Sequence, residues 1–161
     1  MKANLTWTKG IFSSLCQVYS NDILNGKLVD KPFSRTTKGI INGKEYHFRN
    51  SGFLKQTTEI VDSSNNKVVG GIEYNSWRSK ATVSLNGRKY RWKYDNVWNT
   101  QWSLSDANGV SVKYNSSTTK GYIDTNTDDN LLIISGLFVK NYYLQAAFIV
   151  ILVAVIIPAI G

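Results

Sequence analysis

The sequence predicts an all-β fold with one helix: a closed or nearly closed antiparallel β-barrel of about 12 strands around a buried apolar C-terminal helix. Three observations predict it. Short runs rich in Val, Ile, Thr, Tyr and Trp follow one another as far as about residue 124, turn signals separate them, and residues 131 to 161 then carry a single charge, Lys140. With 161 residues the chain is long enough for one domain with a real core and too short for two ordinary ones.

The turn signals set the strand spacing. Asn25-Gly26, Asn42-Gly43, Asn86-Gly87 and Asn108-Gly109 each read as a two-residue hairpin turn, because Asn and Gly accept the positive φ that a type I′ turn needs at both central positions. Ser63-Ser64-Asn65-Asn66 reads as a fifth turn. Strands are expected near 11–19, 22–29, 38–42, 44–49, 54–62, 67–74, 77–85, 88–94, 97–105, 110–114 and 119–124. Both prolines, Pro32 and Pro158, fall outside them, as central strands require.

The hairpin through Asn86-Gly87 can be registered directly, since a two-residue turn pairs Leu85 with Arg88. Val83 then faces Tyr90 and Ala81 faces Trp92, which makes one side apolar. The other side pairs Ser84 with Lys89, Thr82 with Arg91, Lys80 with Lys93 and Arg78 with Asp95. Arg78, Lys80, Lys89, Arg91 and Lys93 therefore form one basic face. Continuing the alternation puts Trp77, Trp92, Trp98 and Trp102 in a common interior, where each would bury about 150–250 Å².

Asp124-Thr125-Asn126-Thr127-Asp128-Asp129 makes a helix start near Asp128 or Asp129, since a carboxylate satisfies free N–H groups and the positive end of the helix dipole. Asp124, Asn126 and Asp128 also sit at the first ligand spacings of a calcium loop. Asp129 and Ser135 occupy the positions that such a loop gives to Gly and to a bidentate Glu, so capping is the better reading and no metal is assigned. Residues 141 to 160 match the roughly 30 Å of a bilayer core, which reads as a transmembrane helix with Lys140 snorkelling at its edge. A helix apolar all round fits equally inside a large barrel.

Composition bounds the chemistry. One Cys, Cys16, excludes an internal disulfide, and with one His, His47, it excludes a Cys/His zinc cluster. Cys16, between Leu15 and Gln17 in an expected strand, reads as a buried inert thiol. The first 20 residues lack the continuous apolar stretch of a secretion signal, which points to a cytoplasmic location. No nucleophile elbow, phosphate loop, dinucleotide fingerprint or zinc-protease motif occurs, and His47 is expected opposite Lys38 on a strand, so no enzymatic activity, catalytic residue or cofactor is assigned. The net charge is +8, of which +7 lies in residues 1 to 130, and it favours anionic partners.

Three stretches carry a resemblance. Asn65-Asn66-Lys67-Val68-Val69-Gly70-Gly71-Ile72 has a turn followed by a V-G-x-I strand, and Trp98 to Trp102 lead into a turn at Leu104-Ser105-Asp106-Ala107-Asn108-Gly109-Val110. The closing run Leu131-Leu132-Ile133-Ile134-Ser135-Gly136-Leu137-Phe138-Val139-Lys140-Asn141-Tyr142-Tyr143 joins small residues to an apolar body and an aromatic exit. Together they resemble the tubby C-terminal domain superfamily, which includes phospholipid scramblases and LURP-one-related proteins, over residues 35 to 145.

The resemblance implies residues 1–145 as a barrel threaded by a helix at about 129–145; residues 146–161 depart from the family pattern, in which the helix ends the chain, and read from their composition as an apolar extension and candidate membrane anchor. It also implies a non-enzymatic, membrane-associated barrel that binds anionic lipid headgroups through an external basic surface, with scramblase-like transport as an extension of that role. Arg78, Lys80, Lys89, Arg91 and Lys93 are the candidate lipid-binding residues, matched by region. The same face reads otherwise as a solvated barrel wall. The alternative is a soluble structural or interaction module, its tail buried in the barrel or in a homo-oligomer interface through 146–161. Nucleic acid is the weakest partner, because the hairpin aromatics alternate onto the opposite face.

Overall fold

The computed structural model describes residues 3–10, 13–30, 34–51 and 57–160, the side chains of 148–153 and 157–160 excepted. The strands are β1 (Ala3–Lys9), β2 (Leu15–Ser20), β3 (Ile23–Val29), β4 (Thr36–Ile41), β5 (Lys44–Asn50), β6 (Thr57–Asp62), β7 (Lys67–Tyr74), β8 (Lys80–Leu85), β9 (Arg88–Tyr94), β10 (Gln101–Ser105), β11 (Ser111–Asn115) and β12 (Lys120–Thr125). Each pairs antiparallel with its sequence neighbours, and β1 closes the ring against β12 from Ala3↔Thr125 to Thr8↔Lys120. The expected closed barrel is thus the observed one. β1 itself lies outside the strand ranges expected from the sequence. Its Leu5 and Trp7 point inward and its Asn4, Thr6 and Thr8 outward, so a half-polar run supplies the twelfth stave.

The helix α1 (Asn130–Ile160) starts at the predicted place, with the Asp129 carboxylate accepting the Leu132 N–H at 3.1 Å. From Leu132 to Lys140 it is buried continuously, and its partners come from all round the barrel. Phe138 stacks on Phe48 of β5 with ring centroids 4.6 Å apart, and Tyr114 of β11 donates to the Ile133 carbonyl at 2.8 Å. Trp92 of β9 donates to the Gly136 carbonyl at 3.0 Å. The helix therefore runs along the barrel axis and fills the interior that the inward side chains of twelve staves leave open. The end where it starts is called the floor and the end where it leaves, near Tyr143, the mouth.

Four sequence expectations need correction. Asn25-Gly26 is inside β3; the turn is Asn21-Asp22, both left-handed at φ 49° and 63°. Gly26 serves the core instead, since a Cβ there would lie 2.6 Å from Ile134 Cδ1 of the helix. Asn42-Gly43 and Asn86-Gly87 do form the expected turns, with φ between 49° and 77°. At Asn108-Gly109 only the glycine is left-handed, and Asp106 organises the loop by accepting from the Asn108 and Val110 amides at 2.9 Å. Trp92 and Trp102 are fully buried, whereas Trp77 and Trp98 are 87% and 81% exposed. They sit in loops at the mouth, because β8 and β10 begin later than the alternation suggested.

The fourth correction concerns where the membrane-crossing reading of residues 141 to 160 begins, since its first residues belong to the barrel. The helix is continuous from Asn130 to Ile160, without a break at 145/146. Among the described residues no helix is long and apolar enough to cross a membrane, and the side chains of 148–153 and 157–160 lie outside that description. Asn141 to Tyr143 still belong to the barrel: Tyr142 stacks on Tyr74 at 3.9 Å and Tyr143 donates to the Lys80 carbonyl at 2.5 Å. Beyond them Leu144, Val155 and Ile156 are exposed. Parts of the expected strands at 11–19 and 54–62 fall on residues 11–12 and 54–56, which lie outside the described residues.

Candidate functional site

The hairpin register holds at every predicted pair from Leu85↔Arg88 to Lys80↔Lys93. The outer face of β8 and β9 consequently carries Lys80, Lys89, Arg91 and Lys93, all exposed. Period-2 alternation places them there, because Ala81, Val83, Leu85, Tyr90 and Trp92 fill the interior. Arg78 does not join this face. It precedes β8, in the mouth loop, with φ 54°, and its guanidinium donates to the Ala146 carbonyl of the helix at 3.2 Å. The expected pairing of Arg78 with Asp95 is replaced by Lys93, whose Nζ lies 3.4 Å from Asp95 Oδ1.

The face extends one strand pair further than the hairpin. Lys93 pairs with Ser103 of β10, and Ser103 with Lys113 of β11, so Lys80, Lys93 and Lys113 lie along one ladder row. Lys113 went unnoticed in the sequence because its strand had no register until β10 was placed. Near the floor, Thr82, Lys89, Tyr90, Arg91, Ser105, Asp106 and Ala107 line a shallow depression of about 440 Å³. The one carboxylate there, Asp106, is held by Arg88 at 2.5 Å. Burial alone would raise the Asp106 carboxyl, but the Val110 amide and the Arg88 guanidinium outweigh it and the group is held lowered. Among the described residues, Lys80, Lys89 and Arg91 have no carboxylate within ion-pair distance. Two cations beside two hydroxyls, Thr82 and Ser105, make a surface that can take an anionic group by charge and by hydrogen bond.

The remaining chemistry-bearing groups are otherwise engaged. Cys16 is buried and its thiol is pushed up to about 12, chiefly by desolvation, so it is not a thiolate at neutral pH. His47 pairs with Lys38 across β4 and β5, as expected, and its Nε2 lies 2.6 Å from Glu45 Oε1. Lys38 approaches the same carboxylate at 3.6 Å, which makes a surface ion cluster. Among the described residues no three His, Cys, Asp or Glu side chains converge.

Lys140 is the one charge of the helix and it does not snorkel to solvent. It is 7% exposed, with Nζ 4.8 Å from the Tyr94 ring centroid and 5.2 Å from that of Trp102, and it donates to the Asn99 carbonyl at 2.5 Å. Desolvation pulls it down to about 8. The cation is thus spent on holding the β9–β10 loop to the helix. A scan against protein-family models gave no match, and neither the curated proteins nor the solved structures contain a match to this chain.

Proposed function

We propose that this barrel associates with membranes and binds anionic lipid headgroups through its external basic face, without bond chemistry of its own. One observation carries the reading: Lys80, Lys89 and Arg91 share the outer wall of β8 and β9 without a carboxylate partner among the described residues, and Lys93 and Lys113 extend that wall. Each such cation near an anionic leaflet contributes about 1 kcal/mol, so the group suffices for surface binding without a deep pocket. Lys89 and Arg91, beside Thr82 and Ser105, are the residues best placed for a headgroup phosphate. The resemblance to tubby-type and scramblase-type barrels points to the same ligand class, and transport of lipid would be an elaboration of it. Arg78 leaves the set of headgroup ligands, since its guanidinium serves the helix.

The test is co-sedimentation of the full chain with phosphatidylcholine vesicles containing or lacking phosphatidylserine, for the wild type and for Lys89→Glu/Arg91→Glu. The proposal expects binding only to the anionic vesicles and at least about tenfold weaker binding of the variant. Equal binding of both proteins would remove the face from the account.

A further inference from the structure

Two loops at the barrel mouth are built to one plan. Asn75-Ser76-Trp77-Arg78-Ser79-Lys80 joins β7 to β8, and Asn96-Val97-Trp98-Asn99-Thr100-Gln101 joins β9 to β10. In the first, Asn75 Oδ1 accepts from the Ser79 and Lys80 amides at 3.0 and 3.1 Å, and its Nδ2 donates to Ser79 Oγ at 3.3 Å. In the second, Asn96 Oδ1 accepts from the Thr100 and Gln101 amides at 3.0 and 3.1 Å, and its Nδ2 donates to Thr100 Oγ1 at 2.7 Å. The fourth residue of each is left-handed, Arg78 at φ 54° and Asn99 at φ 56°. Each loop is also tied to the helix at that same residue, by Arg78 donating to the Ala146 carbonyl and by Lys140 donating to the Asn99 carbonyl.

What this bracing presents is a tryptophan. Trp77 and Trp98 are the third residues of the two loops and are 87% and 81% exposed, with Val97 beside them at 89%. Single exposed apolar side chains are ordinary, but two tryptophans and a valine gathered on one rim make the kind of apolar patch that marks an interaction site. The loops sit on one rim with β8 and β9 between them, about two strand spacings or 10 Å apart. The helix leaves through the same rim, and residues 146 to 160 hold no charged side chain. Charge differs between the two ends. Asp22, Asp62, Asp106, Asp128 and Asp129 lie at the floor beside Lys44, Lys67, Arg88 and Lys89, with Lys44 and Arg88 paired to Asp62 and Asp106, whereas Lys9, Lys80, Lys93 and Lys120 lie at or next to the mouth. Of the acids near the mouth, Asp95 is held by Lys93 and Ser103, Asp30 by Thr37 and Gln145, and Glu73 is exposed.

We infer that the mouth is the membrane-docking end: Trp77, Val97 and Trp98 enter the interfacial layer of an anionic bilayer while Lys80, Lys93 and Lys120 meet its phosphates. Indole rings favour that layer because it is apolar on one side and wet on the other. Loops already fixed by Asn75 and Asn96 lose little conformational freedom when they dock. The inference rests on the proposed lipid binding and adds the orientation: the barrel leans on its β8–β9 side, so that the rim carrying Trp77 and Trp98 enters the lipid, the outer wall with Lys89 and Arg91 faces the headgroups, and the first part of the emergent helix reaches the lipid.

The experiment uses the full chain and vesicles of phosphatidylcholine with phosphatidylserine, the phosphatidylcholine carrying bromine at a defined acyl depth. Trp7, Trp92 and Trp102 are buried and serve as the internal reference. Expected is quenching and a blue shift in the wild type, absent from Trp77→Ala/Trp98→Ala, together with partition weakened by at least about tenfold and an unchanged melting temperature. Vesicle binding without quenching, or with undiminished partition of the double variant, overturns the docking end and leaves the lipid-binding reading standing. Absence of binding to any vesicle overturns both. A lipid-free dimer that buries Trp77 and Trp98, and that the double variant abolishes, assigns the mouth to a second copy and overturns the inference.

Discussion

Trp92 donates its indole N–H to the carbonyl oxygen of Gly136 at 3.0 Å, which ties the barrel wall to the helix at the residue where the helix has no side chain. The same gap takes Tyr114, whose ring occupies the space that a Cβ at position 136 would need, and whose hydroxyl reaches the Ile133 carbonyl. Gly136→Ala is therefore expected to cost about 1–3 kcal/mol by overpacking. For a chain of this size that lowers the melting temperature by about 2–4 °C per kcal/mol, measurable by calorimetry. Trp92→Phe should be destabilising by a similar amount, about 1–3 kcal/mol, through the lost hydrogen bond and the void.

The closing strand offers a second prediction. Leu5 is 3% exposed and belongs to the staves that seal β12, so Leu5→Ala should cost about 2–5 kcal/mol. Thr6, next to it on the outer face, should tolerate Ala within about 0.5 kcal/mol. Urea unfolding of the two variants separates a closed barrel from an open sheet with a loose N-terminal strand, in which both changes would be mild.

Lys140 makes stability depend on alkaline pH. Burial lowers it to about 8 in the fold from an ordinary value near 10.5, so between those values the unfolded chain holds a proton that the folded chain has released. Its contribution to stability consequently rises as pH increases from about 8 to about 10.5. Denaturant midpoints across that range should climb in the wild type relative to Lys140→Met, and parallel curves would contradict the burial of a charge there.

At the acid end Asp62 is expected to contribute. Its carboxylate is held at about 2, first by Lys44 and then by Ser64 hydroxyl and amide, against an ordinary value of about 3.8. A depressed carboxylate stabilises the fold above the unfolded value, and the stabilisation is lost as pH falls from about 4 to about 2. Asp62→Asn should flatten the melting temperature over that window, checked by thermal scans between pH 5 and pH 2.

The barrel was legible in the sequence where one face decides the pattern. The Asn86-Gly87 hairpin came out at its register because β8 and β9 alternate cleanly and the turn has only one length. The helix was legible in its composition and in the Asp129 cap. Three features were not legible, each for a physical reason. β1 alternates Leu5 and Trp7 with uncharged polar residues, too short a pattern to stand out without its partner β12. Gly26 follows an Asn and so imitates a turn, although its lack of a side chain makes room for Ile134 of a helix more than 100 residues later. Trp77 and Trp98 keep the spacing of their strands, but Asn75 and Asn96 capture the backbone amides that would have continued the ladder and turn both indoles outward.

The basic face was read at Lys80, Lys89, Arg91 and Lys93 because they lie within one hairpin. Lys113 depended on a three-strand row, and Arg78 on a helix contact that no local pattern reports.

The most direct test of the account is binding of the wild-type chain to vesicles as the fraction of phosphatidylserine and the salt concentration are varied. The basic face predicts no binding to pure phosphatidylcholine, binding that rises with anionic lipid, and progressive release as screening shortens toward about 3 Å near 1 M salt. Binding indifferent to lipid charge and salt, or no binding to any vesicle, would contradict it.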